Sequence, residues 1–136
     1  LVACSVDSVH SHLAWLQLPR SVRGLGGSIQ FPIPILSDLS HSMLQEYGVE
    51  FQRNGVNLGF ATRGTFIIDA KGILRSITIN DIPVGRNVDE VLRLVEAYQY
   101  TDSHNEVCPM GWSSKGNNKT IVPDPQSSMT YFNNVQ

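Results

Sequence analysis

An α/β layered fold is predicted by three observations. Short apolar runs rich in strand formers recur along the chain, and segments with helical spacing of apolar residues separate them. Gly, Pro or Asn stands at most of the junctions. The chain has 136 residues, 41% of them hydrophobic, which suits one domain with a single core.

Leu1-Val2-Ala3-Cys4-Ser5-Val6 reads as a buried strand. Asp7 or Ser8 offers a cap for a short helix over Val9 to Gln17, ended by Pro19. Gly24-Leu25-Gly26-Gly27 reads as a flexible loop. Phe31 to Leu36 is strand-like, but Pro32 and Pro34 confine it to an edge. Ser40 is positioned to cap a helix through Tyr47, with Gly48 at its end, and Asn54-Gly55 signals a turn or loop. Thr65 to Ile68 is a continuous apolar strand, and Lys71-Gly72 turns it into a second arm from Ile73 to Ile79. Asn87-Val88-Asp89-Glu90 matches a capping box, and Val88, Val91, Leu92, Val95 and Tyr98 follow helical spacing. Beyond Cys108 the composition shifts to Ser, Asn, Lys, Gly and Pro, which predicts an extended arm outside the core. The segment shows no internal repeat.

Composition narrows the function classes. A formal charge of −2 gives no reason to expect nucleic acid or an anionic membrane as partner. No apolar run approaches the ~20 residues needed to span a bilayer. Two cysteines are too few for a disulfide scaffold and fit reduced or redox-active thiols. Asn118-Lys119-Thr120 matches a glycosylation acceptor, relevant only to a secreted protein. His10, His12, His41 and His104 show no zinc-type pairing with cysteine and no His-Glu-x-x-His, so no metal is expected from them. No phosphate-binding glycine motif and no Gly-x-Ser-x-Gly elbow occurs. Asp81, Asp89 and Glu90 read as turn and helix-capping residues.

Cys108, in Glu106-Val107-Cys108-Pro109, follows a long helical segment and precedes Gly111-Trp112. On spacing alone an exposed or packed structural cysteine is the favoured reading over a reactive one. A thiol that exchanges with another sulfur needs access and a mobile segment, which a helix end followed by proline and a loose tail would supply. Arg63 stands directly before an apolar strand, either as a solvated charge or as a fixed cation beside a thiolate. Arg86, in Pro83-Val84-Gly85-Arg86, fits an ordinary salt bridge at a helix entrance as well as a functional cation. Cys4 lies in an apolar run that tends to bury a thiol, and reads as structural.

The segments Arg63-Gly64-Thr65-Phe66-Ile67-Ile68-Asp69, Asn80-Asp81-Ile82-Pro83-Val84-Gly85-Arg86, Gln99-Tyr100, Glu106-Val107-Cys108-Pro109 and Tyr131-Phe132 occur in that order. Together they resemble the C-terminal part of a typical two-cysteine peroxiredoxin. The resemblance covers nearly the whole chain and sharpens the fold to a thioredoxin-like α/β fold of peroxiredoxin type, N-terminally incomplete. It implies residues 1–103 as part of the core and 104–136 as the C-terminal arm. It also implies Cys108 as the resolving cysteine, Arg63 as the electrostatic residue of the active site and Arg86 as a second arginine near the redox centre. The family's peroxidatic cysteine lies in a Pro-x-x-x-Thr-x-x-Cys segment, which this chain does not contain.

The implied activity is thiol-dependent reduction of hydrogen peroxide and organic hydroperoxides, through a sulfenic acid and an intersubunit disulfide. The implied reductant is thioredoxin or a related dithiol protein. The implied assembly is a homodimer, with a higher ring as an extension, and its Ile73–Ile79 strand pairs with its copy. No cofactor is implied. The expected compartment is the cytoplasm, with the mitochondrion as the alternative, and these 136 residues alone are expected to be inactive. A non-catalytic peroxiredoxin-like interaction or holdase module is the other reading. Gly24-Leu25-Gly26 and Tyr131-Phe132 match elements that pack over the active site in eukaryotic-type members, although Arg23 stands where a leading glycine is usual. The stretch after that loop is longer than usual, and Glu50 to Phe60 is expanded too.

Overall fold

Residues 1–27 and 30–134 are described by the structure, a computed structural model. The longer stretch expected after the glycine loop includes Ser28 and Ile29, which lie outside the described residues. The elements are β1 (Ala3–Ser5), α1 (Val9–Gln17), a 3₁₀ turn (Arg20–Val22), β2 (Ile35–Ser37), α2 (Ser42–Glu46), β3 (Glu50–Arg53), β4 (Val56–Ala61), β5 (Arg63–Ile68), β6 (Leu74–Asn80), α3 (Val88–His104) and α4 (Met129–Asn133). Among the described residues the strands form three two-stranded ladders, β1 with β2, β3 with β4 and β5 with β6. The chain divides into two compact units, Leu1–Thr65 with Thr78–Gly85 and Phe66–Ile77 with Arg86–Gln136. A single core, as composition predicts, is therefore replaced by two small ones.

In the first unit β1 and β2 pair in parallel, Ala3 opposite Ile35 and Ser5 opposite Ser37. Parallel pairing needs a crossover, and α1 supplies it. Ser8, one of the two expected caps, closes the helix start by accepting from the Ser11 amide at 3.1 Å. The helix end is closed by the glycine loop, which is less loose than its composition predicts. The amides of Leu25, Gly27 and Gly26 donate to the carbonyls of Trp15, Leu16 and Leu18 at 3.0–3.1 Å, groups that a helix end otherwise leaves unpaired. A Cβ at Gly24 would lie 2.0 Å from the Leu18 oxygen, so no other residue fits there.

The start of α2 departs from expectation. His41, with φ 62°, occupies the cap position and makes no side-chain cap. Asp38 acts instead, accepting from the Leu44 amide at 2.7 Å, the Met43 amide at 3.1 Å and the Ser42 hydroxyl at 3.2 Å. A carboxylate satisfies two orphan amides where the Ser40 hydroxyl could satisfy one. The turn at Asn54-Gly55, both with positive φ, joins β3 to β4, with Arg53 opposite Val56. Two central residues of positive φ make a tight hairpin turn. Phe51 and Phe60 stack across it at 5.2 Å.

In the second unit Asp69 Oδ1 accepts from the amides of Lys71 and Ile73, both at 2.9 Å, and sets the turn that Gly72 completes with φ 80°. Arg75 on β6 lies between Asp69 at 3.2 Å and Asp102 at 2.9 Å, with its guanidinium 4.7 Å from the Tyr98 ring centre. The Tyr98 hydroxyl donates to the Arg75 carbonyl at 2.9 Å, fixing β6 to α3. Asn87 caps α3 by accepting from the Glu90 amide at 3.1 Å, whereas Glu90 turns its carboxylate to Arg93 rather than closing the capping box.

Burial is sparse. Among the described residues the buried hydrophobic side chains are Leu44 and Val49 in the first unit and Ala97 and Trp112 in the second. The run at Leu1 to Val6 is not the buried strand that its apolarity predicts: Leu1 is 95% exposed and Cys4 is exposed. Among the described residues β1 pairs only with β2, so the apolar run around it has little to pack against. The tail also differs from a wholly extended arm. Val107 and Ile121 exchange backbone hydrogen bonds at 2.9 and 3.0 Å, Trp112 is 2% exposed, and α4 forms near the end.

Candidate functional site

Asn105 creates the site by ending α3 in the left-handed conformation, φ 50° and ψ 31°. Asn tolerates that conformation better than most residues, and the reversal sends Glu106-Val107-Cys108 back along the helix. Pro109 to Trp112 then form a tight turn, closed by the Trp112 amide on the Pro109 carbonyl at 3.0 Å. Gly111, with φ 73°, holds the third position, where a turn of this kind requires glycine. Met110 is left 99% exposed, while Trp112 is buried.

Cys108 is half-buried on this segment, its thiol 4.0 Å from the Ala97 carbonyl of α3. Burial pushes the thiol above its ordinary value. The Arg93 guanidinium opposes that rise, and the Glu106 carboxylate adds to it. Arg93 lies one helical turn before Ala97. It donates through Nη1 to the Trp112 carbonyl at 3.0 Å and grips Glu90 with two hydrogen bonds of 2.6 and 2.7 Å. Glu106 accepts from the Thr120 hydroxyl at 2.5 Å and the Tyr100 hydroxyl at 3.0 Å, and these bonds hold its carboxyl below the usual range. Tyr100 also stacks on His104 at 4.0 Å and tilts against Trp112 at 5.6 Å. One stripe of α3, namely Arg93, Ala97 and Tyr100, thus holds the segment from Glu106 to Trp112.

The other expected site residues are distributed over both units. Arg63 opens β5 in the first unit. It is exposed and donates through Nε to the Ile82 carbonyl at 2.5 Å, so the backbone of the Asn80–Gly85 loop fixes its direction. The loop is itself held by Asn80, which donates to the Gly85 carbonyl at 2.9 Å. Arg86 lies in the second unit, exposed, directly before the Asn87 cap of α3. The charges that act on Cys108 come from Arg93 and Glu106. The sequence marks Glu106 only as part of the Cys108 motif and gives Arg93 no role, although Glu90-x-x-Arg93 has the spacing of a helical ion pair.

Cys4 sits on β1 with its thiol 3.8 Å from Met43 Sδ. Burial, then the Asp38 carboxylate, push it above its ordinary value, which does not favour a nucleophile. His12 is buried and bonds Ser5 Oγ through Nε2 at 2.7 Å. Tyr131 and Phe132 meet edge to face on α4 at 5.4 Å. Among the described residues no group of three or more His, Cys, Asp or Glu side chains could hold a metal ion. None of the described helices is long and apolar enough to cross a membrane.

The AhpC/TSA family profile matches residues 1–77, and the profile for the C-terminal domain of 1-Cys peroxiredoxin matches residues 97–133, which include Cys108. Human peroxiredoxin-4 is 55% identical over 135 residues, covering 99% of this chain and 46% of that protein. Peroxiredoxin-2 of Rattus norvegicus is 52% identical over 132 residues, covering 97% of this chain and 62% of that protein. The chain thus spans about half to three-fifths of the length of these relatives. The reduced 2-Cys peroxiredoxin of Plasmodium vivax superposes with a TM-score of 0.83 at 31% identity, over 98% of this chain and 64% of that one. The mitochondrial 2-Cys peroxiredoxin of Plasmodium falciparum gives 0.69 at 41% identity, over 80% and 60%. With a thioredoxin-like α/β fold and a family profile that spans more than half of its residues, the chain belongs to the peroxiredoxin family.

Proposed function

We propose that the chain contributes the resolving half of a peroxide-reducing cycle, with Cys108 as the resolving thiol. The observation that carries this is the position of Cys108. It lies half-buried just past the helix-ending turn at Asn105, in the segment matched by the peroxiredoxin C-terminal profile. In the cycle, a peroxidatic thiolate attacks one peroxide oxygen. An S–O bond forms, the O–O bond breaks, and water or an alcohol leaves. The Cys108 thiolate, having lost its proton, then attacks the sulfenic sulfur. An S–S bond forms, the S–O bond breaks, and the departing hydroxide takes up a proton as water. A dithiol protein of thioredoxin type returns both sulfurs to thiols and is itself oxidised to a disulfide.

Arg63 is the cation that favours a thiolate and negative charge on the peroxide, and Arg86 is a second cation of the redox centre. Residues 1–103 serve as the core and 104–136 as the arm that carries Cys108. The assembly is a homodimer, extendable to a ring, in which β6 pairs with its copy. Hydrogen peroxide and organic hydroperoxides are the substrates. The compartment is the cytoplasm, with the mitochondrion as the alternative. The exposed apolar side chains of Leu1, Val2 and β6 favour a second reading, a non-catalytic holdase.

Reconstitution separates the two. The purified 136-residue chain, with thioredoxin, its reductase, NADPH and peroxide, is expected to show no sustained turnover. Adding a two-cysteine peroxiredoxin whose own resolving cysteine is serine is expected to restore turnover with the wild-type chain and not with Cys108→Ser. Equal rates with both would leave the holdase reading in place.

A further inference from the structure

We propose that Arg93 is a positioning residue for Cys108, supplying the positive charge beside which the thiolate forms and pinning the backbone that follows it. Three observations place it there. Its Nη1 reaches the Trp112 carbonyl at 3.0 Å, four residues beyond the thiol. On α3 it lies one turn before Ala97, whose carbonyl is 4.0 Å from Cys108 Sγ. Its remaining nitrogens are committed to Glu90 by a bidentate pair of 2.6 and 2.7 Å, which fixes the direction of the guanidinium.

The charged groups facing Cys108 are few. Arg93 comes from α3, with Glu90 behind it, and Glu106 comes from the thiol's own segment, bound to Tyr100 and Thr120 and near His104. Burial and Glu106 both disfavour the thiolate, and Arg93 is the charged group that opposes them. The guanidinium also anchors the far side of the Pro109–Trp112 turn. Cys108 is thereby held between Arg93–Trp112 on one side and Tyr100–Glu106–Thr120 on the other. A thiol that needs the right protonation state before it can attack gains from a cation fixed on the helix it docks against. The relevance of this to peroxide reduction rests on the resolving role proposed for Cys108.

The test follows the rate of Cys108 alkylation by iodoacetamide across pH, in the full chain carrying Cys4→Ser. Arg93→Gln is expected to move the midpoint of the pH profile up, and Arg93→Lys, which keeps the charge, to restore most of the shift. Glu90→Gln keeps Arg93 and removes its compensating carboxylate, so the midpoint is expected to fall. This second variant decides the matter if Arg93→Gln does not fold. An unmoved midpoint in Arg93→Gln, an equal shift in Arg93→Lys, or a midpoint in Glu90→Gln that stays or rises would overturn the proposal. The readout requires no sulfenic partner. A shifted midpoint with no restoration of turnover by the chain would overturn the resolving role alone, and an unmoved midpoint with restored turnover would overturn the role of Arg93 alone.

Discussion

The hydroxyl of Tyr100 donates to Glu106 Oε2 at 3.0 Å, and this bond ties the last turns of α3 to the segment that carries Cys108. Thr120 meets the same oxygen from the far side of the Val107–Ile121 bridge. Glu106 is held below its ordinary value, chiefly by Thr120 and then by Tyr100. A group with a depressed folded-state pKa stabilises the fold at pH above its unfolded value and loses that contribution as pH falls through its folded value. The segment is therefore expected to be docked at neutral pH and to loosen in acid. Tyr100→Phe should loosen it at neutral pH as well. Hydrogen exchange at the Val107 and Ile121 amides reads both effects. Protection equal to wild type in Tyr100→Phe, and unchanged on acidification, would show that Glu106 does not hold the arm.

Gly24 is the position where the first unit tolerates no side chain. A Cβ 2.0 Å from the Leu18 oxygen and 2.4 Å from the Leu18 Cβ forces the loop off the end of α1. Gly24→Ala is expected to cost roughly 1–3 kcal/mol, the usual range for forced repacking. It should also release the Trp15 indole from the Arg23 carbonyl, to which it now donates at 2.8 Å. Chemical denaturation followed by Trp15 fluorescence, in a Trp112→Phe background, measures both. An unchanged denaturation midpoint would contradict the packing described.

Asp38 is 4% exposed, and burial alone would raise its carboxyl. The amides of Leu44 and Met43 and the hydroxyl of Ser42 more than reverse this and hold it below the ordinary value. Its contribution to stability is present above the free carboxyl's range and is lost as pH falls through the depressed folded value. Asp38→Ala should lower the thermal midpoint at neutral pH and flatten the acid limb of the stability curve. Asp38→Asn, which keeps an acceptor oxygen, should fall between. Circular dichroism melts across pH check this, and parallel acid limbs for wild type and Asp38→Ala would refute it.

The surroundings of Cys108 show how far sequence alone reaches. Helical spacing from Val88 to Tyr98 locates the helix, and the motif around Cys108 locates the thiol. That Arg93 faces Trp112 depends on the reversal at Asn105, and a left-handed asparagine leaves no mark in an apolar pattern. The β3–β4 hairpin was legible only as its Asn54-Gly55 turn, because Glu50-Phe51-Gln52-Arg53 lacks a clear apolar alternation. Asp38 escaped notice because it caps α2 from outside the cap position. The apolar run at β1 was legible as a strand and misleading about burial, since burial depends on what a strand packs against.

β6 presents Ile77 and Ile79 to solvent and pairs on one side with β5. An edge of this kind is a template for a second copy. Ile77→Pro removes a backbone donor from the strand and should weaken self-association. Sedimentation equilibrium measures it, and an identical dissociation constant for wild type and variant would place the interface elsewhere.

The resolving role of Cys108 is tested most directly by trapping its disulfide. The chain is mixed with a peroxide-oxidised two-cysteine peroxiredoxin whose own resolving cysteine is serine, and the products are mapped by non-reducing mass spectrometry. The predicted result is a mixed disulfide through Cys108, formed equally by Cys4→Ser, absent from Cys108→Ser and removed by reduced thioredoxin. A disulfide through Cys4, or a Cys108 that stays a free thiol while the partner's sulfenic acid persists, would contradict it.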